Sequence, residues 1–131
     1  MPAPRTAINQ QAVWKNDEQF RFARALIWHA LELQDAGVFE FTTDIVPDAE
    51  RNGGPNVPGC TATKLKDAHL ISPIGHMQEG VWFAKRAKSN REGRKDAWNN
   101  VYHLTSRALA EEFLRRQHVE FREVQPEFAI G

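Results

Sequence analysis

Residues 39–71, FEFTTDIVPDAERNGGPNVPGCTATKLKDAHLI, hold the densest set of start and stop signals in this chain. Phe39 and Phe41 flank Glu40, an alternation that suits a brief strand. Thr42 or Thr43 offers a helix cap, with Asp44 just inside it. Pro47 is tolerable only in a first turn, so the expected helix is short or begins near Val46. Asn52-Gly53-Gly54-Pro55 is a strong break. Asn56 is then a good cap for a second helix, and Pro58 fits its first turn. At about 100° per residue, Pro58, Thr61, Ala62, Leu65, Ala68 and His69 fall on a modestly apolar inner side. Gly59, Cys60, Thr63, Lys64, Lys66 and Asp67 fall on a polar outer side. Ser72-Pro73 closes the element.

Upstream, Asp17 and Glu18 suit the first turn of a helix, where its dipole favours negative charge. Phe20, Ala23, Ile27, Ala30 and Leu31 then recur at helical spacing, and Phe22, Leu26 and Leu33 widen the stripe. Gly37 is a natural stop, so the main core helix is expected at about 17–35. Downstream, Met77 to Gly80 reads as a loop, Val81–Ala84 as a strand and Ala97 to Leu104 as its return. Between the two strands lies KRAKSNREGRKD, with a turn expected around Asn90 to Gly93. Thr105 or Ser106 caps a last helix bearing Ala108, Leu109, Phe113 and Leu114.

The 131 residues fit one domain with tails: a loose arm at 1–15, a domain at 16–117 and a tail at 118–131. Composition is that of a globular chain, 41% hydrophobic and 26% charged, which excludes a disordered or collagenous class. Lys plus Arg and Asp plus Glu are 17 each, so net charge gives no argument for a nucleic-acid partner; only its distribution does. From Asn56 to Leu104 there are eight Lys or Arg against four Asp or Glu, a local excess of four positive charges. The single cysteine, Cys60, excludes an internal disulfide framework and fits a reducing compartment. The start MPAPRTAINQQ lacks the apolar centre of a signal peptide, and no apolar run approaches the ~20 residues of a membrane span. A cytoplasmic protein without membrane contact is expected.

No constellation of catalytic groups is visible. His29, His69, His76, His103 and His118 lack metal-ligand spacing, and Asn52-Gly53-Gly54 lacks the lysine and serine of a phosphate loop. Cys60 stands without a partner motif, and no carboxylate pair suggests acid–base work. An enzyme, a metal site and a cofactor are not expected. Trp14, Trp28, Trp82 and Trp98 are expected as core or cover residues rather than stacking platforms, with Trp82 and Trp98 on the hairpin strands and one of these two left open as a residue that faces a partner.

The order helix, short strand, two helices, hairpin, final helix resembles that of winged-helix domains. LKDAHLI, residues 65–71, resembles the end of their recognition helices, where Leu, a small residue and Leu-Ile pack under the wing. His69 stands where Gly is common in that family. VYHLT, residues 101–105, resembles the second wing strand leading into the last helix. FTTDIVPD, then Pro-Asn, then LKDAHLI followed by Pro73 resembles small winged-helix proteins of bacteriophages and prophages. The resemblance covers roughly residues 17–116. One departure is the turn at Arg51 to Asn56, which is longer than in a simple helix-turn-helix.

The resemblance implies an α+β winged helix-turn-helix that binds double-stranded DNA, in transcriptional control in a phage or prophage setting. Helix 56–69 would enter the major groove, and the hairpin at about 85–95 would contact the backbone or minor groove. The residues expected to bind are Asn56, Thr63, Lys64 and Lys66 of the helix and Lys85, Arg86, Lys88, Arg91, Arg94 and Lys95 of the hairpin. An ordinary solvated helix face and a solvated basic loop have the same composition. Many winged helices act as homodimers, and the first helix, the last helix or the tail would supply that interface. Two other readings stay open. One is a winged-helix protein-protein interaction module with an acidic partner. The other is a non-specific DNA-binding accessory protein of phage replication or packaging.

Overall fold

The computed structural model describes residues 17–51, 54–91 and 97–115. The expected arm 1–15, the tail 118–131, and Arg94 and Lys95 lie outside the described residues. Among the described residues the architecture is α+β: three helices and three short antiparallel strand pairs.

Helix α1 spans Asp17–Asp35, as its apolar spacing predicts. Phe22, Ala23, Leu26, Ile27, Ala30 and Leu31 are its buried stripe, while Leu33 is half-buried. Gly37 stops the helix by adopting φ 88°. This lets the Val38 N–H reach the Leu33 carbonyl at 2.8 Å and the Gly37 N–H reach Gln34 at 3.0 Å, so two end carbonyls are satisfied.

The strand expected at 39–41 shrinks to one residue. Phe41 exchanges backbone hydrogen bonds with Tyr102, at 2.9 and 2.8 Å, and Val38 and Phe39 stay exposed. The short helix expected after it is replaced by two 3-10 turns, Thr43–Ile45 and Asp48–Glu50. Pro47 explains the split: it has no N–H to continue a helix, and Val46 before it is held extended at φ −80°, ψ 118°. Thr42 is the cap, its Oγ1 accepting from the Asp44 N–H at 3.1 Å. Arg51 ties the two turns together. Its Nε donates to the Val46 carbonyl at 2.8 Å, its Nη2 donates to the Thr43 carbonyl, and its guanidinium lies 5.3 Å from the Phe22 ring centroid.

Helix α2 spans Val57–Asp67. Asn56 does not cap it with its side chain, contrary to expectation. Its backbone is already helical (φ −86°, ψ −8°) rather than extended, and Pro58 removes one of the N–H groups a cap side chain would serve. The far end mirrors that of α1. The Leu70 N–H reaches Leu65 and the His69 N–H reaches Lys66, both at 2.9 Å, with His69 at φ 65°. His69 is therefore turned outward and exposed, not placed on the inner side. Thr61, Ala62 and Leu65 do face inward and are buried.

The expected simple hairpin is a different object. Among the described residues, six strands follow α2: β1 (Ile71–Pro73), β2 (Gly75–Gln78), β3 (Val81–Ala84), β4 (Arg86–Lys88), β5 (Trp98–Asn100) and β6 (Tyr102–Leu104). The residues expected as a loop form β2 and a two-residue turn, Glu79-Gly80, with φ 52° and 79°. Thus β3 pairs with β2, not with the strand returning at 97–104. That returning strand splits its pairing between β4 and β1. The three paths exchange partners at Ile74, Lys85 and Val101. The Lys85 N–H donates to Ile74 at 2.7 Å, Ile74 to Val101 at 2.9 Å, and Val101 to Lys85 at 3.0 Å. This closed ring of backbone bonds lets three two-stranded ribbons diverge with no buried backbone group left open at the branch.

A third helix occupies residues 107–115, with the Ser106 Oγ accepting from the Leu109 N–H at 3.2 Å. Ser106, not Thr105, is the residue that makes this cap bond. The core lies between the α1 stripe, Ala62 and Leu65 of α2, Leu70 and Ile71, Tyr102 and Leu104, and Ala110 and Phe113.

Candidate nucleic-acid interface

The burial of Thr61, Ala62 and Leu65 against α1 fixes the roll of α2 and turns its polar side outward. The β4–β5 ribbon stands across from that polar side. Its register pairs Arg86 with Asn100 and Lys88 with Trp98, so these four side chains share one ribbon face. Ala87 and Asn99 take the other, half-buried face.

The space between is an open groove of about 860 Å³. Asn56, Thr63 and Lys64 line it from the helix, and Arg86, Trp98 and Asn100 from the ribbon. Two cations, several amide or hydroxyl groups and an exposed indole therefore face one cavity. Asp67 also lines the groove and sets a carboxylate near its end. The Lys88 Nζ lies 5.7 Å from the Trp98 ring centroid, which places a third cation beside the indole. Lys66 is exposed on α2 and is not part of the groove lining.

Two of the expected hairpin cations are held elsewhere. The Lys85 Nζ pairs with Glu40 at 2.6 Å, and the Arg91 Nη2 pairs with Asp48 at 2.9 Å. Next to that second pair, the Asn90 N–H donates to Asp44 Oδ2 at 3.2 Å. The acidic segment between α1 and α2 thus fastens the start and end of the 85–91 tract. Because Glu40 and Asp48 lie 45 and 43 residues away in sequence, local spacing gave no sign of either pair.

Trp98 and Asn100 line the groove but stand outside the set of residues expected to bind DNA. An alternation signal was present in WNN, residues 98–100, but its face depends on strand register. That register follows from which strands pair, and β5 pairs with β4 while β3 pairs with β2. Of the tryptophans expected as core or cover, Trp28, Trp82 and Trp98 are each about half exposed, at 55%, 47% and 57%.

Among the described residues, no group of three His, Cys, Asp or Glu is placed to hold a metal ion, and no helix is long and apolar enough to cross a membrane. Cys60 is exposed. Comparison of the chain with protein-family models, with curated proteins and with solved structures finds no match.

Proposed function

We propose that this chain is a winged-helix domain that binds double-stranded DNA, with α2 as the recognition helix and the β4–β5 ribbon as its wing. The observation that carries the reading is the groove in which Asn56, Thr63 and Lys64 face Arg86, Trp98 and Asn100. Lysine and arginine neutralise phosphates, and side-chain amides hydrogen-bond base edges. The element order supports the same reading: helix, single-residue bridge, two turns, helix, then paired strands and a last helix. Transcriptional control in a phage or prophage setting is the proposed biology, and it rests on the sequence resemblance.

The binding set narrows under this reading. Among the described residues, Lys64, Lys66, Arg86 and Lys88 remain available, whereas Lys85 and Arg91 serve to hold the tract in place. Four phosphate contacts give a log–log salt slope of roughly −3 to −4. Fluorescence anisotropy with a random duplex across a salt series tests this. Binding with that slope, weakened by Lys64→Ala and Arg86→Ala, supports the reading. Absence of binding at low salt overturns it. A specific duplex that outcompetes random DNA favours a regulator over an accessory protein of replication or packaging. The interaction-module reading is favoured by a separate feature, the apolar β2–β3 ribbon.

A further inference from the structure

The half-exposed tryptophans differ in their surroundings. Trp28 borders depressions in which Glu32, Asp35 and Glu50 stand beside the arginines. Trp82 lies on the β2–β3 ribbon, whose residues 75–84 include no Lys or Arg. Trp98 shares its groove with Lys64 and Arg86, and neither cation forms an ion pair among the described residues. Lys88 lies over the indole, and more than half of Trp98 stays exposed even so. An indole with an open surface beside free cations can stack a nucleobase, because every base has a π-face.

The shape of the site limits what reaches that indole. Its volume of about 860 Å³ is on the scale of a small-molecule site, roughly 300–1,000 Å³. It has room for a nucleotide and none for a duplex. With every base stacked inside the double helix, a duplex lying across the mouth of the groove would offer Trp98 only sugar and phosphate. A base reaches the indole when it is out of the stack.

Asp67 is an independent sign of the same occupant. It lines the groove, is exposed and forms no ion pair among the described residues. It is the last residue of α2, where the helix dipole disfavours a negative charge, so it does not serve the helix. A carboxylate repels phosphate but accepts a hydrogen bond from an exocyclic amine, as Asp does from cytosine N4. Asn100 lies on the same ribbon face as Trp98 and adds an amide donor and acceptor.

We propose that the groove between α2 and the β4–β5 ribbon captures an unpaired base of a bound DNA strand, with Trp98 as the stacking platform and Asp67 as the acceptor for the amino group of the base. Lys64 and Arg86 hold the flanking phosphates. The inference rests on the DNA-binding reading and deepens it: the preferred DNA is a duplex interrupted by an unpaired base. Extruding a base from a perfect duplex costs its stacking and pairing, and that cost is least where the base is already unpaired.

The test is fluorescence anisotropy of the full chain with a perfect duplex and with the same duplex carrying a bulged cytosine or a bulged thymine. The cytosine bulge should bind about tenfold tighter than the perfect duplex, on the order of one stacked base. Trp98→Ala should remove that preference and leave binding of the perfect duplex nearly unchanged, whereas Trp98→Phe should keep most of it. Asp67→Ala should bring the cytosine bulge to the level of the thymine bulge. Far-ultraviolet circular dichroism checks that each variant folds; if Trp98→Ala does not, Trp98→Phe and Asp67→Ala decide. Equal binding of perfect and bulged duplexes by the unaltered chain overturns the proposal and leaves duplex binding standing. So does a preference that persists in Trp98→Ala, which would report a more bendable duplex rather than a captured base. A cytosine preference that survives Asp67→Ala overturns the role of Asp67. Absence of binding to any of these duplexes overturns both the proposal and the reading beneath it.

Discussion

The Trp82 side chain lies over Gly75, so that a Cβ built on Gly75 would stand 2.6 Å from Trp82 Cζ2 and closer still to the Phe83 carbonyl oxygen. The indole could swing aside, but the carbonyl belongs to the paired strand and cannot move without breaking the register. Gly75→Ala is expected to cost about 1–3 kcal/mol by overpacking, concentrated in the ribbon. Tryptophan fluorescence should report a changed Trp82 environment. Hydrogen exchange should show β2 and β3 loosened with α1 unaffected. Uniform loosening of the whole domain would contradict this.

Thr61 is fully buried in α2, and its Oγ1 has no hydrogen-bond partner among the described residues. A buried hydroxyl without a partner carries a desolvation cost that an isosteric methyl does not. Thr61→Val is expected to stabilise the fold by about 1 kcal/mol, read as a higher urea midpoint with unchanged slope. A destabilised variant would show that the hydroxyl is satisfied in solution.

His69 ends α2 in the left-handed region, at φ 65°, where a side chain crowds the following carbonyl. Glycine takes that conformation without the crowding. His69→Gly should therefore stabilise the fold by about 0.5–1 kcal/mol, and thermal unfolding checks it. His69→Val should destabilise by at least as much, because branching at Cβ worsens the crowding.

Groove cations and latch cations should separate in DNA titrations. Lys64→Ala and Arg86→Ala, in the groove, should each shorten the salt slope by about one. Arg91→Ala, which removes the pair to Asp48, should leave the slope nearly intact and cost ~0.5 kcal/mol of stability, as solvent-facing pairs do. An equal loss of slope in Arg91→Ala would mean that this arginine leaves Asp48 to meet phosphate.

Each of these outcomes turns on a residue whose role was legible to a different degree. Helix α1 could be read directly: its stripe repeats through Phe22, Leu26, Ile27 and Ala30, and Gly37 supplies the turn that stops it. The inner side of α2 was equally readable at Thr61, Ala62 and Leu65. These signals are local, since helix periodicity and end residues act over one or two turns. The sequence determined the long helices, the break before α2 and the clustering of positive charge after Asn56, but not the replacement of the expected short helix by two 3-10 turns around Pro47.

Strand partnership was decided only in three dimensions. Val81–Ala84 reads as a strand in isolation, but whether it pairs with residues 75–78 or 97–104 depends on the ring of bonds at Ile74, Lys85 and Val101. The same is true of the cations: nothing adjacent to Lys85 or Arg91 reveals that Glu40 and Asp48 will hold them. Hydrogen-bond partners and ion pairs more than forty residues apart are set by how the elements pack. Tertiary structure therefore chose which basic residues line the groove and brought Trp98 and Asn100 into it.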